Sequence, residues 1–126
     1  MLKNIEIIGL MSGTSLDGLD IAHVAFDFSA ALPTFELLHS ETLPYSDEIL
    51  AKLNVAKTFS VPEMLMLDKE IGRFYAIKVV DFIKKYKIDS KIIAAIASHG
   101  QTIFHQPENG FTQQIGCGTS LAFLTG

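Results

Sequence analysis

The chain is short of the residues that build specialised folds. It has one cysteine, Cys117. No disulfide can therefore form within it, and a reducing cytoplasm is the simplest compartment. Proline is sparse, at 4 residues, and glycine, at 9, is no more than ordinary, which argues against collagen-like or low-complexity chain. Basic charge is also in deficit. Ten Lys and Arg against 14 Asp and Glu leave a net charge of −4, without the positive footprint of a nucleic-acid binder. No apolar run reaches the roughly 18–20 residues that span a bilayer. Glu6 interrupts the N-terminal segment where a signal peptide needs an unbroken apolar stretch. Zinc-ligand spacing, a Walker loop, a glycosylation sequon, internal repeats and an interdomain linker are all absent from the sequence.

What is present suits one ordinary α/β domain. The 126 residues are 48% apolar and 19% charged, enough for a single core. Ile5, Ile7, Ile8 and Leu10 predict a buried strand that stops at a small-residue cluster, and Ile21–Phe26 predict a second strand. After Pro33, residues 34–42 alternate imperfectly, as a more exposed third strand would. Ser46 is placed to cap a short helix over 47–53. Ser60-Val61-Pro62-Glu63 reads as a capping box opening a longer helix. Its apolar stripe is Leu65, Ile71, Tyr75, Val79 and Phe82, widened by Met64, Leu67, Phe74 and Ile83, with Asp68 at the same spacing. Residues 92–97 are almost fully apolar, the pattern of a central parallel strand buried on both faces. Residues 113–115 predict a short strand, and 119–124 a helix closed by Gly126. The order strand, strand, strand, helix, strand describes an α/β sheet that starts as a meander.

Three polar segments can carry chemistry. The first, residues 9–20, combines glycines with Ser12, Thr14 and Ser15. Glycine lets backbone N–H groups and a ligand approach each other, and the hydroxyls add donors suited to phosphate oxygens. Asp17 and Asp20 repel phosphate unless Mg²⁺ intervenes, or else they brace the loop by hydrogen bonds. An ordinary polar hairpin turn explains the same residues. The second, Ser98-His99-Gly100-Gln101-Thr102, is expected as a loop just beyond a strand end, where α/β sheets bind ligands. His99 can move a proton near neutral pH, and Gln101 suits sugar hydroxyls or an amide. A satisfied loop histidine in a turn is the alternative there. The third, Gln114-Ile115-Gly116-Cys117-Gly118-Thr119-Ser120, precedes a helix and lacks the full dinucleotide fingerprint. Cys117 at that helix start is a candidate for a lowered thiol pKa, though a small buried residue is the commoner role. His23 and His39 fall within predicted strands and read as structural.

The block Met11-Ser12-Gly13-Thr14-Ser15-Leu16-Asp17-Gly18-Leu19-Asp20 resembles the opening signature of the anhydro-N-acetylmuramic acid kinases. Ser98-His99-Gly100-Gln101-Thr102, then His105 and Pro107, then Gln114-Ile115-Gly116, resemble the family's next blocks in order and spacing. The resemblance implies a ribonuclease H-like fold, the actin, Hsp70 and sugar-kinase group, with two lobes around a nucleotide cleft. Residues 1–126 would then be an N-terminal lobe, with the C-terminal lobe missing. It also implies that ATP and water are used to open a 1,6-anhydro sugar and phosphorylate its O6 in cell-wall recycling. Gly13, Thr14, Ser15, Leu16, Asp17, Gly18, Leu19 and Asp20 would form the ATP-phosphate loop. Asp17 and Asp20 would act indirectly on Mg²⁺, and His99, Gly100 and Gln101 would border the sugar. The expected partners are ATP, the anhydro sugar, the missing lobe and a second copy of the chain, with neither nucleic acid nor membrane. The family's catalytic aspartate would lie beyond Gly126, so the chain alone is expected to be inactive. Cys117 stands where the family commonly has aspartate. Two other readings remain: a non-catalytic lobe serving as a binding or assembly module, and a hydrolase using Ser12 or Ser15, neither of which has a histidine nearby in sequence.

Overall fold

Alternation decides the first half of the chain. In β1 (Asn4–Ser12), Ile8, Leu10 and Ser12 are buried while Met11 is exposed; in β2 (Leu19–Asp27), Leu19, Ile21 and His23 are buried. Successive side chains point to opposite faces, so each strand sends one set toward the helices. The computed structural model describes residues 4–126; Met1–Lys3, part of the N-terminal segment read as too polar for a signal peptide, lie outside the described residues. With β3 (Thr34–Leu43), the three strands form the predicted antiparallel meander. Glu6 accepts a hydrogen bond from His23 Nε2 at 2.7 Å, and His23 Nδ1 lies 3.3 Å from His39 Nδ1, tying all three strands together. The two histidines are structural, as their positions in strands suggested.

The helices form where their caps predict. Ser46 caps α1 (Asp47–Val55), and Ser60 opens α2 (Val61–Lys85) with a complete capping box and proline in the first turn. The buried stripe of α2 is Leu67, Ile71, Gly72, Tyr75, Ala76, Val79 and Phe82. Leu65, expected in that stripe, is 60% exposed, because the register of Ile71, Tyr75 and Phe82 turns it away from the sheet. The chain then enters β4 (Ile93–Gln106), turns back as β5 (Phe111–Ile115) and ends in α3 (Gly118–Thr125). The sheet order is β3-β2-β1-β4-β5, with β4 parallel to β1 and β5 antiparallel to β4. Among the described residues, no helix is long and apolar enough to cross a membrane.

The core lies between one sheet face and the helices, and includes Ile8, Leu10, Ile21, Ile49, Ile71, Tyr75, Phe82 and Leu121. The opposite face is open. Phe35 pairs with Phe26 and Leu37 with Val24 across β2 and β3, and Phe35 and Leu37 are 72% and 55% exposed. The first half of β4 corrects one expectation. It is central in the sheet but not buried on both faces, since Ala94, Ala95 and Ala97 are exposed. Strand β5 pairs only with residues 101–106, so among the described residues no strand covers the other edge of Ile93–Gly100.

Candidate functional site

The first polar segment is shorter as a loop than it reads in sequence. Residues 9–12 complete β1 and residues 19–20 begin β2, which leaves 13–18 as the connection. Leu16 N–H closes on Gly13 O at 3.4 Å, and Leu16 takes φ +60°, uncommon for a side chain of its size. Gly18 has φ +139°, and a Cβ there would lie 2.2 Å from Leu43 O, so the end of β3 admits only glycine. Gly13 differs. A Cβ at Gly13 would meet only Ser15, no closer than 3.5 Å. The space beside Gly13 is therefore open, with exposed Thr14, Ser15 and Asp17 around it. Asp20 accepts a short hydrogen bond from the Thr42 hydroxyl.

The second segment is not a loop but the middle of β4. Leu10 pairs with Ser98 and Ser12 with Gln101, so β4 carries one extra residue between these pairs. That bulge is centred on Gly100, at φ +75°, where a Cβ would lie 2.7 Å from Ile115 O. Its consequence is directional. His99 stays on the open face and is exposed, while Gln101 turns inward beside Ser12 and is fully buried. The Gln101 amide is fully engaged inside the protein. Its Oε1 accepts from Tyr45 at 2.9 Å, and its Nε2 donates to Gly13 O at 3.0 Å and Thr102 O at 3.3 Å. His99 Nδ1 donates to Gly100 O at 3.2 Å.

The third segment is held from α2. Asp68 Oδ1 accepts from Gly116 N–H at 2.8 Å, and Asp68 O accepts from Cys117 N–H at 3.0 Å. A recess of about 300 Å³ joins Asp68, Ser98, His99, Gly100 and residues 114–118. On the open sheet face, a shallow hollow of about 470 Å³ joins Met11, Asp20, Ala22, Ser98 and His99. Ser98 and His99 line both, so the third segment and the strand ends of the first meet at this stretch of β4, while Thr14 and Leu16 of the 13–18 loop lie beside Thr102 and His105 further along the strand.

Burial raises the phenol pKa of both Tyr45 and Tyr75 above the ordinary value, so both stay protonated and donate. The Cys117 thiol moves the other way, lowered chiefly by the Ser120 hydroxyl and backbone N–H beside it, with the Lys69 charge assisting. No group of three His, Cys, Asp or Glu side chains able to hold a metal occurs among the described residues. Sequence reasoning missed Tyr45 and the anchoring roles of Tyr75 and Asp68. Two signals were there: a phenol and a carboxylate each stood in an otherwise apolar helical stripe, where a buried polar atom needs a partner.

These features define an α/β domain that gathers three polar segments at one end of a mixed sheet. Residues 5–126 match the family model described as anhydro-N-acetylmuramic acid kinase, and the chain belongs to that family. It is 40% identical over 128 residues to the anhydro-N-acetylmuramic acid kinase of Shewanella baltica (strain OS185), covering 99% of this chain and 34% of that protein. Identity to the protein of the same name from Nitrosomonas europaea is 42% over 124 residues, covering 94% of this chain and 33% of the relative. The relative from Legionella pneumophila (strain Paris) is 37% identical over 124 residues, with 94% and 32% covered. The chain thus spans about a third of the length of the curated relatives it matches.

Proposed function

We propose that this chain is the first, ribonuclease H-like lobe of an ATP-dependent anhydro-N-acetylmuramic acid kinase, contributing the phosphate loop and one wall of the sugar site. The observation that carries the reading is the junction at the sheet end: Gln101 of β4 grips the open 13–18 loop from below at Gly13 O, and Thr14 and Leu16 of that loop share a recess with Thr102 and His105, the continuation of the same strand. The antiparallel meander followed by a parallel fourth strand supports the fold assignment. The donor set fits a polyphosphate. Gly13 leaves room for an oxygen to approach, and the exposed hydroxyls of Thr14 and Ser15 offer donors. Leu16, Gly18 and Leu19 shape the turn. Asp17, exposed beside the open space at Gly13, suits Mg²⁺ through intervening water. Asp20, held by Thr42, would orient that shell. His99 and Gly100 would border the sugar, and Gln101, its amide engaged by the protein, would act from behind them.

ATP with Mg²⁺ supplies the transferable phosphoryl group and neutralises its charge. Ring opening adds a water oxygen to the anomeric carbon, breaks the bridge bond to O6 and leaves O6 to receive the phosphoryl group. The water proton needs a general base, and the family's aspartate for that task would lie in the two-thirds of the relatives beyond this match. The edge of residues 93–97, which no strand pairs among the described residues, supports assembly with such a remainder.

Titration of Mg-ATP into the chain, alone and mixed with a polypeptide carrying the relatives' remaining two-thirds, tests this reading. Binding, with 6-phosphate product formed only in the mixture, is expected. Product from the chain alone contradicts the divided site, and no nucleotide binding in either sample contradicts the phosphate loop. Asp17→Asn is expected to weaken nucleotide binding more with Mg²⁺ than without it.

A further inference from the structure

Beneath the 13–18 loop, four polar side chains from four different segments meet in the core. They are Ser12 at the end of β1, Tyr45 before α1, Tyr75 in α2 and Gln101 in β4, none more than 5% exposed. Ser12 Oγ lies 2.7 Å from Tyr75 Oη and 2.8 Å from Tyr45 Oη; the two phenol oxygens are 3.1 Å apart. Tyr45 also reaches Gln101 Oε1 at 2.9 Å. The proton count gives the cluster a direction. A carbonyl oxygen only accepts, so the Tyr45 proton serves Gln101 Oε1. The Ser12 and Tyr75 protons then serve the two shorter oxygen–oxygen contacts. The order is Tyr75 to Ser12 to Tyr45 to Gln101. This orientation leaves both Gln101 Nε2 protons for carbonyls, and one of these is Gly13 O, the first carbonyl of the loop. Gly13 O also accepts from Leu16 N–H, so a single oxygen ties the loop's turn to the core.

We propose that Ser12, Tyr45, Tyr75 and Gln101 form a buried relay that presets the 13–18 loop in its phosphate-accepting shape, with Tyr75 and Gln101 as positioning residues. This rests on the reading that the loop takes the nucleotide phosphates. Stability alone does not call for such a cluster, since apolar groups of matching shape can replace a satisfied buried polar set at little cost. The chain of donors in this one ends instead at Gly13 O, in a loop whose Thr14, Ser15 and Asp17 are exposed. A preset loop spends less ordering entropy when its ligand arrives.

The test uses the 126-residue chain with two variants, Tyr75→Phe and Gln101→Met, which keep side-chain volume but cut the relay at its head and at its grip. Backbone ¹⁵N relaxation and amide exchange report the loop directly, and Mg-ATP titration reports its use. Order parameters of residues 14–17 are expected to fall toward the flexible range, below about 0.6. Leu16 amide exchange is expected to rise at least about tenfold while Val79 in α2 holds its rate, and the Mg-ATP dissociation constant to rise about tenfold for Gln101→Met, matching the loss of one net hydrogen bond. Unchanged loop order in both variants overturns the relay. So does a loosened loop with unaltered nucleotide affinity, which would make the cluster structural only. If the unsubstituted chain binds no Mg-ATP with or without the complementing polypeptide, the phosphate reading fails and the positioning role fails with it, whereas loop order still decides the grip itself.

Discussion

At the scale of single residues, the site depends on where backbone meets backbone. Gly72 lies in the middle of α2, where alanine would normally strengthen the helix by about 1 kcal/mol. Its surroundings reverse that preference. A Cβ at Gly72 would lie 2.6 Å from Cys117 O and 2.8 Å from Cys117 N, and main chain moves far less readily than a side-chain tip. Gly72→Ala is therefore expected to lower stability by about 1–3 kcal/mol in urea unfolding; a stabilised variant would show that the third segment yields at no cost. Residue types read from sequence were a mixed guide at this scale. The glycines and hydroxyls of 13–20 were legible because their composition is unusual. Tyr45 was not, because a single aromatic between Pro44 and a helix cap has no periodicity to reveal its burial. Gln101 was singled out for a ligand, but one extra residue in β4 turned it inward, and pairing register is not written in local composition.

At the scale of elements, start signals were the clearest part of the chain. The α2 capping box is complete: Ser60 Oγ accepts from Glu63 N–H at 3.5 Å, and the Glu63 carboxylate accepts from Ser60 N–H at 2.7 Å. These Ser60 hydrogen bonds hold the Glu63 carboxyl below the usual range. A carboxyl lowered in the folded state adds stability that is present above its unfolded pKa and is lost as pH falls through the folded one. Ser60→Ala is expected to cost about 1 kcal/mol at pH 7. The gap between variant and parent should narrow in urea titrations below about pH 4. A gap of constant size down to pH 3 would assign the effect to the serine side chain alone. The element that sequence misread was β4. A polar Ser-His-Gly-Gln-Thr run looks like a loop, yet pairing with β1 on one side and β5 on the other carries it as strand. Hydrogen-bonded neighbours supply what local propensity does not.

At the scale of the whole molecule, the helices cover one face of the sheet, and among the described residues nothing packs over the other face and no strand pairs with part of the β4 edge. The covered half is where the two tyrosines sit, and their burial links the site to global stability. Both phenols have pKa values raised by burial, so the folded state keeps protons that the unfolded chain releases from about pH 10. The tyrosines' contribution to stability is therefore complete only well below pH 10 and declines as pH rises through it. The urea midpoint is expected to fall between pH 9 and 11, and to fall less steeply in Tyr75→Phe, which has no such proton to lose. Parallel slopes for parent and variant would mean that lysine ion pairs, among them Lys52 with Glu70, carry the alkaline loss instead.

The sequence by itself determined the order of the elements, the caps, the meander and the composition of the first loop, because each rests on local chemistry within a few residues. Tertiary structure alone decided that Gln101 faces the core, that Asp68 and Tyr75 anchor polar segments distant in sequence, and that the helices among the described residues gather on one sheet face. Those outcomes depend on register and on which partner arrives across the sheet. A contact between residues 63 positions apart, such as Ser12 with Tyr75, leaves no periodic trace in the chain that makes it.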